Sequence, residues 1–236
     1  VLVVAFIWLI YMFQKNSNKI DLAIAVYIAL FLHILAVRSA LLSLYVIFFC
    51  MAIYWAIVYK KYLLTLMAFI FIGTALVAAY QVLPSFRNKV NYTKWSIDQY
   101  RMHIRSATSD EGRIVSQELG MQIADENFWF GCGEGDLKKE MEKKYQTLGI
   151  NQQTSDVKMP HNQFIWTTAS GGFIGCMLLM SICFSFIGWA ISRKHLTAGL
   201  FMITAILSMM VEQTLETHLG VTFFILPLLI FSNLEA

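Results

Sequence analysis

The chain has 236 residues, of which 58% are hydrophobic and only 14% charged. Soluble domains carry about 25% charged and 45–50% apolar residues, so an ordinary water-soluble enzyme is excluded. A net charge of +3 is too small and too dispersed for a nucleic-acid partner, and three prolines with 14% aromatics exclude a disordered or collagenous chain.

A membrane-crossing helix needs about 20 mainly apolar residues. Seven runs are candidates: 1–14 (truncated), 20–37, 39–59, 62–83, 163–191, 196–213 and 218–232. None shows an amphipathic stripe, as expected where lipid or other helices surround a segment. Val1 opens inside an apolar run instead of at a start methionine, so the chain reads as the C-terminal part of a longer protein. The charges gather elsewhere: 11 of the 18 Lys and Arg and 11 of the 15 Asp and Glu lie between Arg87 and Lys158. The expected fold is therefore all-α, a polytopic transmembrane helix bundle of about seven spans with a large, partly helical extracytoplasmic loop. Four membrane helices fill 1–83, the loop domain 84–162, and the C-terminal membrane helices 163–236.

Orientation follows from short-loop cations, which mark the cytoplasmic side. Lys15 and Lys19, Lys60 and Lys61, and Arg193 and Lys194 fall on one face when crossings are counted alternately. That places the 84–162 loop outside, Arg38 at the outer end of its hairpin, and the C-terminus in the cytoplasm. Within the loop, Thr108–Glu111 fits a capping box opening a helix to about Glu126. Asn127–Asp136 (NFWFGCGEGD) reads as a glycine-punctuated aromatic turn. Leu137, Met141, Tyr145 and Leu148 form a helical stripe closed by Gly149. Residues 151–159 read as loop, and Pro160 suits the first turn of the next helix.

Several side chains could carry chemistry. Arg38, between two apolar runs, fits either a snorkelling anchor or an anion site made with the free N–H groups of residues 39–41. Arg113 lies in the first turns of the capped loop helix. With Arg87, Lys89, Lys94, Arg101 and Arg105 it gives residues 85–115 a local cationic excess suited to phosphates on lipid or substrate. His161 starts a membrane helix on the outer side, where it is either a polar cap or a base. A helix N-terminus is a poor place for a cation, and a neutral imidazole can take a proton from a hydroxyl. Asn162 follows it, and Gly171, Gly172 and Gly175 on the same helix permit close helix approach. Glu212 and Glu216, one turn apart in the outer half of the penultimate span with His218 nearby, suit pairing with arginine or orientation of an acceptor. His33 reads as a satisfied polar residue in an apolar run. Glu134 and Asp136 form a lone carboxylate pair of a kind that can ligate Mg²⁺. Cys50, Cys132, Cys176 and Cys183 have no metal-ligand spacing. HExxH, GxSxG, Walker and EF-hand motifs are absent from the sequence.

These residues resemble the O-antigen ligase and Wzy-type polymerase family of bacterial inner-membrane glycosyltransferases. His161-Asn162, nine residues, then Gly172-Phe173-Ile174-Gly175 is similar to the family's histidine signature. Gly112-Arg113 heads a helix that ends in Glu126-Asn127-Phe128 and the glycine turn to Asp136, with Phe128 where the family usually has proline. Val37-Arg38-Ser39-Ala40-Leu41-Leu42 resembles the family's arginine hairpin, with Val and Ser replacing two small residues. The resemblance covers nearly all of this chain and the C-terminal half of a typical member.

It implies an undecaprenyl-diphosphate-linked glycan donor, a periplasmic active face, and no metal or other cofactor. The essential arginine pair would be Arg38 and Arg113, binding diphosphate, and the essential histidine His161. Asn162, Glu212 and Glu216, from the residue reading and not the resemblance, are candidates to support them. The acceptor would be lipid A core in a ligase, which the nine-residue spacing favours, or a second lipid-linked glycan in a polymerase. A transporter or flippase of lipid-linked sugars is a different class, disfavoured by charges gathered at one face and by the lack of a repeat. A structural membrane subunit is a third.

Overall fold

A computed structural model describes residues 2–60, 62–102, 109–148 and 157–233. The described residues form α-helices, one 3-10 turn and connections, with no strand among them. The chain folds into two compact units, Val1–Lys94 with Lys194–Leu207, and Trp95–Arg193 with Ser208–Ala236.

In the first unit, α1 (Leu2–Asn16), α2 (Lys19–Leu35), α3 (Arg38–Tyr59) and α4 (Tyr62–Val82) occupy the four expected apolar runs. Their connections are so short that single residues carry the reversal. Ser17, Ala36 and Lys60 adopt positive φ without being glycine, and the Ala36 N–H closes α2 on the Leu32 and His33 carbonyls. Asn18 starts α2 by accepting a hydrogen bond from the Ile20 N–H at 3.1 Å. Apolar side chains from α1, α2 and α3, with Leu200 from the later segment, form the core: Phe6, Leu32, Leu44 and Ile47 are almost wholly buried. His33 is the satisfied polar residue expected, with Nδ1 2.7 Å from the Ala29 carbonyl and Nε2 2.7 Å from the Tyr45 hydroxyl.

A further helix, α5 (Pro84–Arg101), fills what the sequence offers only as a basic stretch. Pro84 sits at its first turn, where a missing N–H costs nothing, and no glycine interrupts it. Its apolar positions Phe86, Val90 and Ile97 share one helical face but are interrupted by Thr93 and outnumbered by polar and charged residues, so the sequence reading passes over them. Arg105 and Thr108, and with Thr108 the expected capping box, lie outside the described residues.

The second unit contains α6 (Ser109–Glu126), α7 (Glu134–Thr147), α8 (Gln163–Ser192), the turn Thr214–Glu216 and α10 (His218–Asn233). The intervening α9 (Leu196–Val211) contributes its last residues. Leu119, Ile123, Leu137, Met141, Tyr145 and Ala169 bring α6, α7 and α8 around one buried cluster. The α6 boundary at Glu126 is as expected. The second loop helix starts three residues early, at Glu134, because the glycine turn is complete by Gly133, whose φ is +89°. Gly149 lies outside the described residues. Pro160 is not in a helical first turn: it is buried two residues before Asn162, which caps α8 by accepting from the Phe164 and Ile165 N–H groups at 2.9 and 3.2 Å.

Arg38–Tyr59, Thr65–Val82 and Gln163–Ser192 are long and apolar enough to cross a membrane. Leu2–Asn16, Leu196–Val211 and His218–Phe231 are apolar and shorter. α8 is not one continuous helix. Gly172 has φ +67° and ψ −169°, a conformation essentially restricted to glycine. The break gives its backbone groups new partners in the aromatic turn. Phe173 N–H donates to the Phe128 carbonyl at 2.7 Å and Ile174 N–H to that of Trp129 at 3.4 Å. In return Cys132 and Gly133 N–H groups donate to the Ala169 and Ser170 carbonyls, each at 2.9 Å. Among the described residues, Gly171 and Gly175 therefore do not serve close helix approach as expected, and Gly172 approaches the aromatic turn and not a helix. A Cβ on Gly171 would meet nothing within 4 Å, and one on Gly175 would touch only Thr167 of its own helix at 3.5 Å. The close approach is backbone to backbone, at Gly172 and Gly131.

Candidate active site

Arg113, Gln117 and Gly120 recur at i, i+4 and i+7 on α6, so they share one helix face. That face receives the segment before α8. Gly120 makes room for Pro160: a Cβ there would stand 2.7 Å from the proline ring and 2.8 Å from Ile165. Gln117 Nε2 donates to the His161 carbonyl at 3.1 Å. Together they fix the backbone of His161 over α6 and close to Arg113.

The third segment of the site comes from the end of α9. The two amides at the start of α8 shape it. Asn162 Nδ2 donates to the Met210 carbonyl at 3.1 Å. Gln163, almost wholly buried, accepts from the Leu215 N–H at 2.8 Å and donates to Glu216 Oε1 at 2.9 Å. These bonds occupy backbone groups that a longer α9 would need, so the helix stops at Val211. Glu212 and Glu216 are consequently not one turn apart on a span, as the sequence suggests. They sit in the connection between α9 and α10, and His218 opens α10.

Glu212 is the junction. One carboxylate oxygen pairs with the Arg113 guanidinium, and the other accepts from His161 Nδ1 at 2.9 Å. With Nδ1–H committed to the carboxylate, the Nε2 lone pair is left to accept a proton. The imidazole is 23% exposed and the carboxylate 44% exposed, so a substrate can reach both. Arg113 has further N–H donors beyond the pair with Glu212. Lys158 lies against the same end of α6, its Nζ within 2.4 Å of where a Cβ on Gly112 would be. Burial pushes the Tyr145 phenol up to about 12, and its hydroxyl donates to the Lys158 carbonyl at 3.2 Å. Burial also pushes the Cys132 thiol up, with Glu140, Asp136 and Glu134 adding to it.

Of the residues singled out from sequence, Arg113, His161 and Glu212 meet directly, Asn162 caps and anchors, and Glu216 is held by Gln163. Arg38 belongs to the first unit. It begins α3 behind Val37, which offers no side-chain cap, and donates to Thr93 of α5 at 2.5 Å. Of the N–H groups expected to be free there, that of Leu41 already bonds the Val37 carbonyl at 3.0 Å. Both oxygens of Glu134 accept from Trp166 Nε1, at 2.9 and 3.0 Å, so this carboxylate has a structural partner. Sequence reasoning missed Gln117, Gly120, Gln163 and Lys158. The first two were findable from the seven-residue stripe they share with Arg113.

No curated protein matches the chain. A family model described as O-Antigen ligase matches residues 22–180, more than half of the sequence. The chain thus belongs to the O-antigen ligase family of membrane glycosyltransferases, which includes ligases and polymerases.

Proposed function

We propose that this protein transfers a glycan from an undecaprenyl-diphosphate carrier to an acceptor hydroxyl at the periplasmic face of the bacterial inner membrane, as an O-antigen ligase with lipid A core as acceptor. The observation that carries the reading is the Glu212 carboxylate held between the Arg113 guanidinium and the His161 imidazole. Such a constellation has the parts a single displacement needs. His161 Nε2 takes the acceptor hydroxyl proton as the oxygen attacks the anomeric carbon. The bond from that carbon to the diphosphate oxygen breaks, and the carrier diphosphate leaves with the electron pair. Arg113 neutralises the charge gathering on the leaving oxygens. Glu212 holds the imidazole in the tautomer that leaves Nε2 unprotonated and stabilises the imidazolium once it forms. With no covalent enzyme intermediate, configuration at the anomeric carbon inverts.

Arg38 has the diphosphate-binding role that the family pattern gives it, and Arg38→Ala tests that role on its own. Asn162 and Glu216 act by holding the segments that carry His161 and Glu212.

The test is transfer by the full chain, reconstituted in vesicles with a lipid-linked glycan donor. His161→Ala and Arg113→Ala are expected to lower turnover by about 100-fold or more, with activity retained in EDTA. Near-normal turnover without the imidazole, or abolition by EDTA, would overturn the scheme. Product attached to lipid A core marks a ligase; product remaining on the carrier diphosphate marks a polymerase.

A further inference from the structure

We propose that the aromatic turn Phe128–Phe130 is a membrane wedge, its Trp129 and Phe130 side chains inserted into the bilayer at the outer hydrocarbon boundary, which the break at Gly172 marks on α8. The first observation is exposure. Trp129 is 61% and Phe130 77% exposed, although three consecutive large aromatics would ordinarily be buried in a folded domain. The second is attachment. Four backbone hydrogen bonds join residues 128–133 to residues 169–174. Gly131 and Gly172 lie so close to the opposite backbone that a Cβ on either would fall 2.3 Å from it. The Phe128 ring stacks on Phe173 at 5.4 Å, and the bond from Trp166 to Glu134 fastens the start of α7 to the same helix. The aromatics are held out, not swinging free.

The third observation is where they are held. Phe128 and Trp129 both meet the Phe173 ring, and Phe173, Ile174, Met177 and Leu178 are exposed on a helix long and apolar enough to cross a membrane. The same surface therefore faces the same surroundings, and on α8 those surroundings are lipid. Length agrees. The 30 residues of α8 exceed the about 20 that a hydrocarbon core of about 30 Å requires. The part after Gly172, about 20 residues, matches that thickness. The part before it carries Gln163, Thr167, Thr168 and Ser170 and suits the polar zone. Trp129 is a residue that interfacial belts favour, and Phe130 adds a purely apolar ring suited to the acyl boundary. His161, just before the start of α8, then lies on the polar side of the Gly172 break, at head-group height. Only this last consequence for the reacting site rests on the proposed glycosyl transfer; insertion of the turn does not.

Nitroxide accessibility tests the wedge. Phe130→Cys is made in the full chain with Cys50, Cys132, Cys176 and Cys183 replaced by Ala. It is spin-labelled and reconstituted in vesicles of phosphatidylethanolamine and phosphatidylglycerol. Labels at Leu178 on α8 and at Lys139 on α7 give the lipid and water references. The expected ratio of oxygen to nickel-chelate accessibility at position 130 is several-fold above that at 139 and close to that at 178. A ratio equal to that at 139 would place the turn in water, and exclusion of both reagents would mean that protein covers it. Either result overturns the proposal. A label at Trp129→Cys provides the same reading should the first variant fail to reconstitute.

Discussion

Replacing Gly172 by alanine tests the broken helix most directly. The glycine holds φ +67° and ψ −169°, and an added Cβ would stand 2.3 Å from the Trp129 carbonyl carbon and oxygen and 2.4 Å from the Phe130 nitrogen. Backbone strain alone costs about 1–3 kcal/mol. The contact is with backbone, so no side chain can swing aside, and the turn has to lift off. Four hydrogen bonds at about 0.5–1.5 kcal/mol each then weaken or break. We expect a total of at least about 3 kcal/mol, which speeds exchange of the protected amides by roughly 100-fold or more. Hydrogen exchange on the full chain in lipid nanodiscs, read at Cys132, Gly133, Phe173 and Ile174, measures it. Gly171→Ala and Gly175→Ala are the controls, since neither Cβ meets a close neighbour and alanine favours helix by about 1 kcal/mol. If Gly172→Ala protects those amides as well as the two controls do, the docked turn is refuted.

Glu212→Gln keeps the shape of the bridge and removes its charge, so transfer should fall about 100-fold, the scale of losing an orienting partner, while donor KM changes less than kcat. Gly120→Ala should overpack Pro160 and Ile165 by about 1–3 kcal/mol, displacing His161 and lowering turnover although alanine is the better helix former. For Tyr145, burial holds the folded phenol near 12 against its ordinary 10.0. The unfolded chain therefore loses this proton first, so the stability the phenol contributes is whole below pH 10 and is lost as pH rises toward 12. Tyr145→Phe should flatten that alkaline slope, read by exchange in α6 and α7. It also leaves the Lys158 carbonyl without its donor, at a cost of about 1 kcal/mol or more.

The apolar runs, and most boundaries of the helices that fill them, were legible from composition, because burial in lipid or protein leaves an uninterrupted hydrophobic string. Arg113 and His161 were legible because each sits at an element's start, where charge and capping chemistry are visible locally. What escaped depends on contacts between distant segments. The short apolar face of α5, Phe86, Val90 and Ile97, is interrupted by Thr93 and set among charged residues. Gly172 looks like any small residue in a span until the turn that docks on it is known. The position of Glu212 outside a helix follows from Asn162 and Gln163, side chains about 50 positions earlier in the chain, and no periodicity carries that information.

Residues 22–180 carry the family match, yet the carboxylate that joins Arg113 to His161 is at position 212. A chimera grafted at the end of the matched stretch would inherit guanidinium and imidazole from this chain but not the carboxylate that joins them here. Swapping domains in this family therefore calls for a donor cassette that runs past Glu216, so that the buried Gln163 carries its own docking partner with it.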